Sequence, residues 1–414
     1  MKRRVVITGW GLVTSLSCEV EDCWNRVLNG ESGIHPIKFF QVDDIRVQIG
    51  GDVYDWDPSG ILGVKEANKV DRFSQFAMVA AKQAFDSAGF DPRGHENAAR
   101  YGCVLGSGIG GMTTISEQMT RLVQKGPSRV SPMTIPKLML NAGGGNVGIN
   151  FGLRGPNYSV ATACASATNA MGNALDLIQC NACDMVVTGG SEAAMSRMGL
   201  AAFANMKALS ARTDDPTKAS RPFDADRDGF VFAEGAGVLI FEELEHAEAR
   251  GANILGEVVG FGTSCDAYHI TSPEDQGIGA SAAMQLALDD AGLNPGDIDY
   301  INAHGTSTPL GDKAETRAVK TVFGEHAYKL SISSTKSQLG HSLGASGGIE
   351  LILSAKAITE STIPPTINLE TPDPECDLDY TPNTPKQREL NYVMSNSFGF
   401  GGHNASIIIK KFER

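Results

Sequence analysis

The chemistry-bearing residue that stands out first is Cys164, in NYSVATACASATNAMGNALDLI. A β-rich run, Tyr158 to Ala161, ends in small residues, and a helical stretch from Ala165 to about Gln179 follows. This reads as strand, tight turn and buried helix, with the thiol in the helix's first turn. Unpaired N–H groups and the positive end of the helix dipole favour thiolate there, the form that attacks carbonyl carbon. The alternative is a buried structural cysteine. Two histidines in glycine-rich stretches weigh against it: His304 in NAHGTSTPLGD, and His341 in STKSQLGHSLGASGGIE beside Lys336 and Glu350. A helix-start thiol in register with two imidazoles at strand ends suits acyl chemistry in one pocket.

The elements that must position these groups form two copies of one plan. ITGWG (residues 7–11) and VVGFG (258–262) each read as a strand ending in a Gly-aromatic-Gly turn. Helices follow with Ala77, Ala80, Ala81, Ala84, Phe85 and Ala88 in one copy, and Ala280, Ala283, Met284, Ala287, Leu288 and Ala291 in the other. Both stripes follow the i, i+3, i+4, i+7 rule for a core-facing helix, closed by Gly89 and Gly292 as left-handed caps. Strands at 101–105 and 300–303, SVATAC and SISSTK, MVVTGGSE and YVMSNSFG, and two closing strands repeat in the same order. Each half should form a mostly parallel sheet with helices on its faces, residues 1–250 making one half and 251–414 the other. The first half carries extra segments around 18–70, 110–155 and 193–230, candidates for a cap, a dimer surface and a docking rim.

Composition narrows the function classes. At 414 residues the chain exceeds one ordinary core, and 47 glycines without low-complexity tracts suit a tight-turned α/β protein. Net charge −13 argues against nucleic acid or an anionic membrane as main partner. The basic, apolar N-terminus is broken by Gly9, Trp10 and Gly11 and has no cleavage signature, so it reads as a first strand. No apolar run approaches spanning length. Eight cysteines in so long a chain suggest reduced thiols and a cytoplasmic protein, with Cys180 and Cys183 packing at a helix end.

TACASA, NAHGTSTPLGD, TKSQLGHSLGASG, SNSFGFGGHN and RPFDADRDGFVFAEGAG together resemble the signatures of the elongating β-ketoacyl-acyl carrier protein synthases of the thiolase superfamily, most like synthase II. The likeness covers essentially the whole chain. It implies a thiolase fold, with duplicated βαβαβαββ halves in a five-layer αβαβα sandwich, and a homodimer without a redox cofactor. It also implies that Cys164 takes an acyl chain from acyl carrier protein and that malonyl-carrier protein then loses CO2 and condenses with it. His304 and His341 would stabilise the developing charge as neutral Nε2–H donors. Backbone amides of Cys164 and Phe400 would hold the oxyanion. Lys336, paired with Glu350, would order the histidines, and Phe400 would gate the acyl channel. Thr306, Thr308, Phe398, Phe400 and Glu350 are expected at the substrate, and Asn302, Glu350 and Asn396 around a monovalent cation. Basic segments Lys65/Lys69/Arg72, Lys125/Arg129 and Lys207/Arg212 are the candidates for docking an acidic carrier.

Three rival readings are open to the same residues. Gly106, Gly108 and Gly111 satisfy G-x-G-x-x-G, but QKGPSRVSP supplies neither the second strand nor the acid of a dinucleotide site. A non-catalytic chain-length factor would lack the cysteine. A stand-alone ketosynthase of a polyketide or specialised lipid pathway remains the alternative. Ala165 and Thr168 depart from the usual run after the cysteine and bear on acyl preference.

Overall fold

The computed structural model describes residues 2–413. Ten strands form one sheet: β1 (Val5–Val13), β2 (Tyr101–Gly106), β3 (Asn157–Val160), β4 (Met185–Glu192), β5 (Gly235–Glu243), β6 (Gly256–Cys265), β7 (Tyr300–Asn302), β8 (Ser331–Ser333), β9 (Tyr392–Gly399) and β10 (His403–Lys410). Their order is β3-β2-β4-β5-β1-β6-β10-β9-β7-β8. Counted within each half, the order is 3-2-4-5-1 both times, so the duplication read from sequence is a duplication of topology. The halves join where β1 pairs β6, through Val5–Ile7 and Gly256–Val258.

The halves are mixed rather than mostly parallel. β2 pairs in parallel with β3 and β4, but β5 runs antiparallel to both β4 and β1. In the second half β9 and β10 form a hairpin through residues 400–402. A chain that turns back at the end of the fourth strand must run the fifth in the opposite direction.

Six helices complete the layers: α1 (Arg72–Ala88), α2 (Ala142–Phe151), α3 (Ser166–Gln179), α4 (Ile278–Ala291), α5 (Gly311–Phe323) and α6 (Ser346–Glu360). α1 and α2 cover the outer face of the first half, α4 and α5 that of the second, and α3 with α6 fill the space between. This is the thiolase-type five-layer arrangement. α6 is buried on every side from Ser346 to Ile358, as a helix between two sheets must be.

The Gly-aromatic-Gly motifs do not end their strands. β1 continues to Val13 and β6 to Cys265. A Cβ on Gly9 or Gly11 would lie 2.2 or 2.1 Å from the carbonyl oxygens of Ala84 and Ala80. On Gly260 or Gly262 it would lie 2.3 or 2.1 Å from those of Ala287 and Ala283. The glycines let α1 and α4 lie directly on the strands, and the alanine stripes supply the matching flat helix face.

Candidate active site

The strand-to-helix turn after β3 forms the first wall. Ala163–Ala165 make a single 3-10 turn before α3, and Ala163 adopts φ 49°, a left-handed conformation costly for a residue with a Cβ. This turns Cys164 out of the elbow toward the facing half. α3 begins at Ser166, so the thiol precedes the helix rather than sitting in its first turn.

Across the gap, His341 Nε2 lies 3.0 Å from Cys164 Sγ. Its Nδ1 lies 3.0 Å from the Ser346 hydroxyl, which can donate or accept and therefore suits either tautomer. The backbone N–H of His341 donates to the Val231 carbonyl at 2.7 Å, fixing the ring's origin. His304 stands perpendicular to His341, ring centroids 5.3 Å apart. One ligating atom from each of Cys164, His304 and His341 fits within 4.8 Å of the others. The convergence expected from the duplicated plan is therefore present.

Burial sets the protonation of all three. It holds both imidazoles well below their ordinary value, reinforced by the Lys336 ammonium and, at His304, by His341. Both are thus neutral, as expected. Burial also pushes the Cys164 thiol up to about 12, against the pull of Lys336 and of the Phe400 and Cys164 amides. The expected resting thiolate is corrected on this point: desolvation outweighs the elbow's dipoles, and the sulfur rests as a thiol.

Lys336 and Glu350 form a buried ion pair, each side chain 3 % exposed. The pair lies behind the histidines, outside the walls of the cavity that holds Cys164. Glu350 is accordingly no substrate contact, because its carboxylate is turned to Lys336. Asn302 Oδ1 and Glu350 Oε2 are buried without hydrogen-bond partners, the donor chemistry a monovalent cation favours. Asn396 fits less well, since its Oδ1 accepts from Ser406 and its amide faces Glu315.

The cavity, about 550 Å³, runs from Cys164 past Ile109, Phe203, Phe230 and Leu343. Thr306 and Thr308 line it with their hydroxyls 3.0 Å apart, and Phe398 stands 5.9 Å from His304. Half-buried Phe400 lies in the hairpin turn, its amide directed at the Cys164 sulfur. Gly401 and Gly402 take φ 84° and 73°, the left-handed conformations that let so short a turn close.

Among the docking candidates, Lys207 is exposed and lines the cavity. Lys65, Lys125 and Arg129 are exposed elsewhere, and Lys69 pairs with Glu66. Arg212 bonds the Asp226 carbonyl. Arg72 is withdrawn from that set: it is buried and forked onto fully buried Glu234.

Two carboxylates escaped the sequence reading. Glu315 on α5 accepts from the backbone N–H groups of His304 and Gly305 at 2.9 and 2.8 Å, fixing that turn. Its signal is a lone acid on the apolar stripe of Ala314, Ala318 and Val319. Glu192, at the end of β4, receives the amides of the 107–110 loop. The G-x-G-x-x-G loop thus cradles a carboxylate of its own chain.

Comparison with known proteins agrees with this geometry. Residues 2–247 match the family described as Beta-ketoacyl synthase, N-terminal domain, and residues 255–370 match its C-terminal domain. The chain is 49 % identical over 412 residues to 3-oxoacyl-[acyl-carrier-protein] synthase 2 of Synechocystis sp., covering 100 % of this chain and 99 % of that protein. It is 48 % identical to the protein of that name from Coxiella burnetii, covering 99 % of each. The structure superposes on a β-ketoacyl synthase from Burkholderia phymatum with TM-score 0.91, 34 % identity and full coverage of both chains. It superposes equally completely, with TM-score 0.92 and 31 % identity, on a type II polyketide ketosynthase solved with its acyl-carrier protein. The chain belongs to the β-ketoacyl synthase family, and its five-layer fold and buried thiol-imidazole site agree with that.

Proposed function

We propose that the chain is a 3-oxoacyl-[acyl-carrier-protein] synthase of fatty-acid synthesis, which condenses malonyl units with an acyl chain held on Cys164. The observation that carries this reading is one thiol, two neutral imidazoles and two backbone amides meeting at the wall of one apolar cavity. In the first step His341 Nε2 takes the thiol proton as Sγ attacks the acyl thioester. The Cys164 and Phe400 amides hold the oxyanion. The carrier sulfur leaves with the proton, and the acyl group stays on Cys164. In the second step malonyl-carrier protein loses CO2, and the electron pair of the broken C–C bond forms an enolate. Its oxygen is stabilised by Nε2–H of His304 and His341, the Ser346 hydroxyl now donating to His341 Nδ1. The enolate carbon attacks the Cys164 thioester, the C–S bond breaks, and the sulfur leaves as thiolate and takes a proton from water. Lys336 and Glu350 act from behind, the ammonium disfavouring imidazolium.

Identity of 48–49 % to synthase 2 proteins, against 31 % to the polyketide ketosynthase, favours fatty-acid elongation over the specialised pathway. Acyl carrier protein is the partner, with exposed Lys207 at the cavity wall suited to an acidic carrier. A homodimer is supported by the open edge strand β3 and by exposed Met119, Val123, Ile135 and Ile149 in the segment before it. We assign residues 1–250 and 251–414 as its two halves. No helix among the described residues is long and apolar enough to cross a membrane. Free cysteines throughout suit the reducing cytoplasm. Mass spectrometry after mixing with acyl-carrier proteins of graded length tests the reading: an acyl adduct on Cys164 is expected, and an adduct elsewhere overturns it.

A further inference from the structure

The glycine-rich loop after β2 is the motif that condensation chemistry leaves unexplained. The Ser107 hydroxyl and three successive amides, those of Gly108, Ile109 and Gly110, converge on the fully buried carboxylate of Glu192. Oε1 accepts from the Ser107 hydroxyl at 3.1 Å and from the Ile109 and Gly110 amides at 3.2 and 3.3 Å. Oε2 accepts from the Gly108 amide at 2.7 Å and from the Gly344 amide at 3.2 Å. One side chain therefore ties a loop of the first half to the elbow of the second. The glycines are part of the joint: a Cβ on Gly344 would lie 2.7 Å from Oε2 and 2.4 Å from the Gly108 nitrogen. The residues carried by the two tied segments, Ile109 and Leu343, face the cavity beside Cys164 and share its apolar cluster with Phe203 and Phe230.

We infer that Glu192 is a positioning residue for acyl-chain selection, whose carboxylate pins Ile109 and Leu343 at a fixed separation and so sets the passage through which a long acyl chain runs. The inference rests on the reading that Cys164 carries the acyl group. A short acyl group occupies only the mouth of this passage next to the sulfur, whereas a long one must thread its whole length. Phosphate-binding loops of the same glycine pattern use their amides on a ligand. Here the fold supplies the anion itself and converts the loop into a fixed wall.

Glu192→Gln tests this at nearly constant volume. Whichever way the amide turns, its NH2 meets at least two N–H donors, and the tie opens. Self-acylation of Cys164 is followed by mass spectrometry with acyl-carrier proteins bearing short and long chains. The expected result is near-normal acylation by the short chain and a long-to-short rate ratio lowered by about tenfold. Glu192→Asp, which keeps the charge and shortens the reach, should give a smaller shift in the same direction, and it carries the test if the glutamine variant does not fold. A purely structural role would lower both chain lengths together, and an unchanged ratio in the soluble variants overturns the inference. Failure of the Cys164 reading itself would show differently, as an acyl adduct persisting in Cys164→Ala.

Discussion

The two strand-to-helix elbows, one from each half, share a backbone and differ in everything they present. Ala163–Cys164–Ala165 and Leu343–Gly344–Ala345 are both single 3-10 turns, opened by left-handed residues at φ 49° and 46° and followed by helices that begin at Ser166 and Ser346. The position that carries the thiol in the first half carries glycine in the second. The second half instead places residues 334–342 between strand and elbow, and this insertion holds Lys336 and His341. Duplication thus supplied two similar turns packed against each other at the starts of α3 and α6. One became the nucleophile's support. The other gave up its side chain so that the 107–110 loop and Glu192 could pack against it. A strained turn is useful on either side, but only one turn can own the sulfur.

Removing the sulfur should have the largest effect. Cys164→Ala is expected to abolish self-acylation and lower condensation by about 10³-fold or more, while the fold persists, because the elbow already contains two alanines. An intact acyl adduct in that variant would separate the elbow from the chemistry. Cys164→Gln should still release CO2 from malonyl-carrier protein without condensing it.

The inserted histidine is the next point of attack. His304→Ala and His341→Ala should each lower decarboxylation by about 10²-fold. His341→Ala should also slow self-acylation more than His304→Ala does, because Nε2 of His341 lies 3.0 Å from Sγ. Equal decarboxylation by the wild type and the double variant would remove both rings from the mechanism.

The glycine elbow can be tested through stability alone. Gly344→Ala forces a Cβ to within 2.4 Å of backbone, so a loss of about 1–3 kcal/mol is expected in denaturant unfolding. Cys164→Ala should cost distinctly less. Similar losses in the two variants would mean that the elbows are equivalent after all.

The smallest effect is in pH. Both imidazoles are held below their ordinary value, so the unfolded chain takes up protons below about pH 6.5 that the folded chain does not. Stability should therefore fall as pH drops through that value. Decarboxylation per folded molecule should stay level over the same interval. A decarboxylation rate that falls through pH 6.5 would show that the rings titrate normally.

Local pattern carried much of this fold. The alanine stripes of α1 and α4 and the repeated order of strands were legible because packing repeats with the period of the element. The signatures around Cys164, His304, His341 and Phe400 were legible because acyl chemistry restricts which residues can stand there. The Gly-aromatic-Gly motifs look like turns in sequence because a strand with a helix lying flat on it has no local signature distinct from a strand that ends. Arg72 looked like a docking cation because its partner, Glu234, lies far along the chain.

Residue order alone determined which groups exist and which elements carry them: one thiol before a buried helix, two imidazoles beside glycines, and two similar halves. Folding in three dimensions decided their state. It left the thiol protonated by taking it out of water, kept the imidazoles neutral in the same dry pocket, and folded the 107–110 loop onto Glu192, which is remote from it in sequence. Desolvation and hydrogen bonding depend on what surrounds an atom in space, and at Cys164 and Glu192 part of those surroundings, His341 and the Gly344 amide, comes from the other half of the chain.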